Sequence, residues 1–294
     1  MTGISTETPQ HSRAKVGNRP ALDEQSKSGH GRLTKVISGR AIDASLTLLI
    51  VAGTLVIVEY LVENRLVSQY VLPRPTEVYS ALVAMVGLDT FWQHTWSTLA
   101  GAGLGFLLAA CVAIASAALL VTFDRLERVM MPIIVAFQSM PKIAIAPIII
   151  LALGFDLSGK VTITAVVSFF PILLNSLAGL RIRNRDHYEL LRSLGASRVQ
   201  IFRRLRLPSS VPYIFAGLHV GIIFALLGTI VAEFVGSRNG LGSLLLAQKA
   251  AFNVPGVYAV LVVLCVIGLV FRGAMTFLER KFSFWAEDVS HKAL

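Results

Sequence analysis

Residues 188–208 read YELLRSLGASRVQIFRRLRLP. Five arginines crowd this window, yet on either side lie long stretches without a lysine, arginine or carboxylate, 161–180 and 207–232. Each stretch can supply the roughly 20 residues that a helix needs to cross a bilayer, so the basic window is an extramembrane connection. Its internal pattern says more. Leu190, Leu191 and Leu194 share one side of a helix that Asp186 can cap. Gly195, with Ser197 two residues on, makes a natural corner, because glycine tolerates backbone angles that other residues resist. Val199, Phe202 and Leu205 then recur at intervals of three on a second short helix, expected to end near Pro208. Two short helices joined at a glycine, with an apolar stripe among arginines, form a surface that lies against a membrane or into a partner. A loop that only anchored positive charge would need neither the stripe nor the length.

The rest of the chain fits a membrane setting. Of 294 residues 54% are hydrophobic and 15% charged, and mean hydropathy is +0.68, whereas a soluble chain is about a quarter charged. Besides the two stretches already named, 90–123 and 250–271 are of spanning length; 44–62 carries Glu59 near its far end, and 129–155 is interrupted by Lys142. Six spans of this length predict an all-α polytopic membrane bundle. A barrel is excluded, since the runs are helix-length and unpaired strands are not tolerated in lipid.

The net charge of +10 could suggest nucleic acid, but its placement answers that. With the N-terminus inside, 21 Lys and Arg fall on cytoplasmic segments and 5 (Arg65, Arg74, Lys160, Arg238 and Lys249) on the outer side, which predicts both termini cytoplasmic. No aromatic interleaving or nucleic-acid motif accompanies the charge. Residues 1–43 read as a disordered cytoplasmic tail, 44–281 as the transmembrane region with a cytoplasmic loop at 181–209, and 282–294 as a C-terminal tail. The first span is expected to remain in the mature chain. After it, VLPRPTEVYSALVAMVG (71–87) suits an extended lead and an amphipathic interfacial helix starting at Thr76.

Several chemistries find no support in the residues. The sequence has no GxxxxGK[ST] phosphate loop, no metal-type clustering of His, Cys and carboxylates, and no nucleophile–His–acid arrangement. Catalytic, metal and cofactor roles are therefore assigned to no residue. Cys111 and Cys265 lie in apolar runs and read as packing residues. His219 is the one histidine deep in a span; a hydroxyl or carbonyl partner, or a place along a transport path, would account for it. The span holding Lys142 also holds Pro132, Pro141 and Pro147. Proline removes an intrahelical bond, so QSMPKIAIAP (138–147) is expected to be kinked or broken, and broken helices present backbone groups to a cavity. Lys142 there could favour an anionic solute, snorkel to the interface, or pair with Glu233.

Residues 188–208 resemble the cytoplasmic EAA loop of bacterial ABC importer permeases. Glu189, Leu190 and Leu191 hold the Glu-Ala-Ala positions, Gly195 follows at the family spacing, and Leu205-Arg206-Leu207-Pro208 closes the motif. Leucine replaces both alanines and the closing isoleucine. VLPRPTEV, SMPKIAIAPIIILALGFDLSGK, FFPILLNSLAGL, LGAS and AEFVGSRNGLGSLL extend the resemblance from about residue 46 onward, to the subgroup serving nitrate, sulfonate, taurine and related solutes, including thiamine-pyrimidine precursors. Ala152-Leu153-Gly154 departs from the subgroup's Trp-Phe-Gly.

The resemblance implies a six-span bundle of the ABC importer permease (MetI-like) type in the cell inner membrane. Such a subunit is non-catalytic and forms the path for a small solute, anionic by the Lys142 reading; a thiamine-pyrimidine precursor, or another neutral or cationic solute, is the alternative, and an ion-coupled secondary transporter the rival class. Implied partners are a cytoplasmic ABC ATPase dimer, an extracytoplasmic solute-binding protein, a second permease copy and lipid. The ATPase-coupling role would fall on Glu189, Leu190, Leu191, Gly195, Ala196, Leu207 and Pro208. The path would involve Pro141, Lys142 and His219, and the outer loop near the binding-protein dock would involve Glu233, Gly240 and Gly242.

Overall fold

The computed structural model describes residues 45–181 and 185–283. The expected tails over 1–43 and from 284, and the capping side chain of Asp186, lie outside the described residues. Eleven α-helices are resolved among them: α1 Ser45–Glu63, α2 Pro75–Val86, α3 Asp89–Thr122, α4 Asp124–Ser139, α5 Ala146–Leu153, α6 Leu157–Arg181, α7 Arg185–Ser193, α8 Arg198–Ile201, α9 Leu207–Gly236, α10 Leu241–Ala250 and α11 Val254–Phe282. Helices α1, α3, α6 and α11, together with a continuous Val199–Gly236 stretch, are long and apolar enough to cross a membrane. The α4–α5 pair, bent by 81°, is by length and composition a broken span or a re-entrant loop, giving five or six candidate spans among the described residues.

The bend has the expected cause. Met140 turns extended after Ser139, Pro141 follows, and a 3₁₀ turn over Lys142–Ile145 leads into α5. Pro147 sits in the first turn of α5, where its missing N–H leaves no bond unmade.

Helices α3, α6 and α9 pack on one another to form the centre. Lipid tails give helices no hydrophobic reason to associate, so close approach across small residues takes over. On α9, Gly217, Gly221, Ala225, Gly228 and Ala232 recur at three- and four-residue steps, and all are buried. A Cβ on Gly221 would stand 2.5 Å from Ile172, and one on Gly105 of α3 would stand 2.4 Å from Thr164. Inside the contact, the hydroxyls of Thr164 and Thr229 are hydrogen-bonded at 2.7 Å. The bundle's outside is apolar, with Leu107, Ile148, Leu151 and Leu269 exposed, as a hydrocarbon solvent demands. Cys111 and Cys265 are on that surface. They are therefore not interior packing residues of the single subunit as their apolar runs suggested, because an outward-facing position in such a bundle is as apolar as an interior one.

Helix α2 starts one residue earlier than expected, with Pro75 at its first position. Its N-terminus is held by Glu59 of α1: Thr76 donates its hydroxyl to Oε1 at 2.8 Å and its N–H to Oε2 at 3.2 Å. A carboxylate over a helix N-terminus satisfies free N–H groups and complements the helix dipole.

Candidate functional site

At the basic end, α7 and α8 meet at the expected corner. Gly195 has φ +77°. Ala196 N–H donates to Leu191 O and Gly195 N–H to Arg192 O, both at 3.0 Å, which is the Schellman closure that a left-handed glycine permits. The next helix opens with a reciprocal capping box: Ser197 N–H donates to Gln200 Oε1 at 2.7 Å, and Gln200 N–H donates to Ser197 Oγ at 3.3 Å. Leu190, Leu194 and Val199 are exposed around the corner, at 56%, 75% and 66%. Glu189 is exposed too, and Leu191 and Ala196 are half-buried. Ile201 turns inward and is buried, and Phe202 packs on the main apolar cluster. The corner thus keeps an apolar tip outside and is anchored by its second limb.

One expectation about this segment is corrected. The second short helix does not end near Pro208; α8 runs through a π turn over Phe202–Arg206 into α9, so Leu207 and Pro208 begin a membrane-crossing helix. Leu207 N–H reaches back five residues to Phe202 O. The wider π turn admits the proline ring where an α turn would clash with it.

In the broken span, Lys142 is half-buried and Pro141 exposed. Lys142 Nζ donates to Gln138 O at 3.0 Å and stands 4.8 Å from the Phe170 ring centroid. No carboxylate pairs with it among the described residues. Phe170 in turn meets Phe169 edge to face at 5.1 Å.

Glu233 belongs to another lysine. At the end opposite α7–α8, Lys160 Nζ lies 3.3 Å from Glu233 Oε1, and the two residues are 3% and 1% exposed. The ammonium also donates to Ser97 Oγ at 2.7 Å and to Asn239 O, so its three N–H groups meet three acceptors. Glu233 Oε1 further accepts from Thr98 Oγ1 at 2.8 Å, and Oε2 from Gly242 N–H at 2.8 Å. Gly240 N–H donates to His94 Nδ1 at 2.9 Å, and Leu241 N–H to Thr98 Oγ1 at 2.8 Å. Gly240 has φ +138°, and a Cβ there would fall 2.0 Å from Glu233 Oε1. Glu233, Gly240 and Gly242 therefore come together as expected for one loop, but as a buried knot; Arg238 and Asn239 are what reach the surface. Lys160 was legible only as an outer charge. Its signal was its place two residues after Ser158 at the head of a long apolar run, facing the one carboxylate at the end of another.

His219 lies within the membrane-crossing helix α9, well away from either end of the 199–236 stretch. It is a quarter exposed, and its Nε2 meets Glu279 Oε2 at 2.8 Å, a carboxylate from the last turns of α11. The hydroxyl or carbonyl partner is corrected to a carboxylate. Glu279 escaped the sequence reading because it lies beyond the apolar part of its helix.

These features can be set beside known proteins. Residues 101–284 match the binding-protein-dependent transport system inner membrane component family. The chain belongs to this family of ABC importer permeases. The permease is 33% identical over 74% of its length to the formylaminopyrimidine transport permease protein of Halalkalibacterium halodurans, covering 87% of that protein. It is 34% identical to the riboflavin transport system permease protein of Chloroflexus aurantiacus, over 74% of this chain and 81% of that one. To the putative aliphatic sulfonates transport permease protein of Bacillus subtilis it is 28% identical, over 74% and 79%. Its fold is similar to that of the methionine ABC transporter MetNI in an inward-facing conformation, with TM-score 0.57 and 21% identity over 64% of this chain and 93% of that one. The permease is thus a non-catalytic, multi-pass membrane subunit, and the ATP hydrolysis that drives it resides in a separate protein.

Proposed function

We propose that the permease is coupled to a cytoplasmic ABC ATPase dimer through the corner formed by α7, Gly195 and α8, within the cytoplasmic loop 181–209. The observation carrying this reading is the exposed apolar tip, Leu190, Leu194 and Val199, on a corner whose geometry is fully satisfied by its own backbone and caps. Such a tip is of the kind that fills a partner's cleft. The basic charge around it puts this end, and both termini, on the cytoplasmic side. Two copies form the path between them, and a solute-binding protein delivers to the outer face near Arg238 and Asn239.

The test is Leu190→Glu together with Val199→Glu. Both side chains are exposed, so the permease still reaches the membrane, while co-purification of the ATPase falls at least tenfold. Retention of the complex at parental level would refute the assignment.

For the solute, a flat nitrogen heterocycle is the first reading, supported by the formylaminopyrimidine and riboflavin permeases to which the chain is 33% and 34% identical. A small anion such as a sulfonate is the second, favoured by Lys142 having no carboxylate partner among the described residues. Competition for uptake in reconstituted vesicles, pyrimidine against alkylsulfonate, decides between them.

A further inference from the structure

Helices α6 and α9 flank the α7–α8 corner in the chain. Helix α6 leads into it through Arg181, and α9 continues from it through the π turn. At 1.5 Å per residue, the 25 residues of α6 extend about 37 Å, so the start of α6 and the end of α9 lie at the opposite end of the bundle from the corner. Along this length α6 and α9 are packed through the glycine stripe and the Thr164–Thr229 hydrogen bond. At the far end the two helices carry Lys160 and Glu233, buried in contact with each other. The same two side chains hold the exposed turn beyond α9: Lys160 binds Asn239 O, and Glu233 binds Gly242 N–H at the start of α10. Ser97 and Thr98 of α3 complete the set.

We infer that Lys160 and Glu233 are positioning residues of the transport cycle: their buried pair locks the outer 237–240 turn onto the far ends of the two helices that bear the α7–α8 corner, so displacement at the corner arrives at the outer face. An ion pair suits this role better than an apolar contact. Removing either partner leaves the other charge buried and unpaired, so the turn has one seated arrangement and no graded series of slipped ones. The directional hydrogen bonds from three helices fix rotation as well as distance, and the Gly240 approach to the Glu233 carboxylate leaves no room for the turn to slide.

The inference rests on the corner being the ATPase contact, and the experiment separates the two. Environment-sensitive probes are placed on Ser193→Cys at the corner and on Arg238→Cys at the outer turn, both exposed positions, in the reconstituted permease–ATPase complex; the exposed Cys111 and Cys265 are first replaced by Ser. ATP trapping is expected to shift both probes in the parent. With Lys160→Gln or Glu233→Gln, the shift at 193 and the basal ATP hydrolysis stay within twofold of the parent, while the shift at 238 falls at least fivefold. If a variant fails to assemble, Ser97→Ala takes its place: it removes one of the three Lys160 acceptors and lowers the shift at 238 about twofold. A purely structural pair would lower thermal stability and leave the ATP-driven shift at 238 intact, and that result overturns the inference. No shift at 193 in the parent would overturn the corner assignment and the inference with it.

Discussion

Replacing Gly195 isolates one physical quantity, because nothing lies within 4 Å of where its Cβ would be. No neighbour is displaced, so the cost of Gly195→Val is the backbone's own. A non-glycine residue in the left-handed region costs about 1–2 kcal/mol, with β-branching placing valine toward the upper end. That corresponds to on the order of a five- to thirtyfold loss in the population of the closed corner. The loss is local. Val62, Ile172 and the rest of the buried interior are untouched, so membrane abundance should remain near normal while ATPase co-purification and ATP hydrolysis stimulated by loaded binding protein fall by that factor. Asparagine enters the left-handed region far more readily than valine, so Gly195→Asn should recover most of the association. The comparison is made by titrating ATPase onto detergent-solubilised permease. Equal affinities for Gly, Asn and Val would refute the claim that the corner's backbone sets the contact. Equal losses for Asn and Val would show that side-chain bulk at the tip matters and φ does not.

The remaining predictions concern the other sites. Gly240→Ala forces the Glu233 carboxylate from its seat, so thermal stability of the purified permease should fall, by at least about 1–2 kcal/mol from backbone strain alone; an unchanged melting temperature would contradict the close approach. Lys142→Gln should lower uptake of an alkylsulfonate several-fold if the anion reading holds and leave uptake of a pyrimidine unchanged, measured in vesicles at matched permease content. Glu279→Gln removes the acceptor charge facing His219 while keeping the shape of the side chain, and should cost little in abundance, since both groups are partly exposed and such pairs contribute about 0–1 kcal/mol. For topology, an impermeant thiol reagent applied to intact cells should label Arg238→Cys and miss Ser197→Cys, in a background with Cys111 and Cys265 replaced by Ser; Ser237 is too buried to serve as the outer probe.

What the sequence made legible follows from which interactions are local. The corner was readable because a glycine at the turn, Ser197 two residues on and a three-residue apolar spacing are all decided within a dozen residues; the Gln200 half of the cap went unread. The break at 140–145 was readable for the same reason, since proline acts on its own turn. By contrast, the continuation of α8 into α9 depends on a π turn that no single residue announces, and Pro208 looked like a stop because an α turn would have made it one. Cys111 and Cys265 misled because hydropathy does not separate an outward-facing position from an interior one in a membrane bundle. The ion-pair partners of Glu233 and His219 were invisible for another reason: they lie 73 and 60 residues away in the chain, and one sequence contains no record of which helix faces which.

The position of the charges explains why the long-range pair, and not Lys142, is the one proposed to link the corner to the far end of the bundle. Charged side chains within a bilayer are costly unless paired or led to water. Lys142, at the break, is held by Gln138 O of the preceding helix and by the Phe170 ring of α6, so only a single aromatic contact ties it to a neighbouring helix. Lys160 and Glu233 have no such freedom. Their acceptors and donors come from α3, the turn after α9 and the start of α10, and every one must stay in place for the buried pair to remain fully hydrogen-bonded. A subunit that moves solute by tilting helices needs some contacts that slide and some that do not. The glycine-lined α6–α9 contact can transmit tilt along its length, since its surfaces are small and close. At its outer end the ion pair turns that tilt into movement of a defined loop.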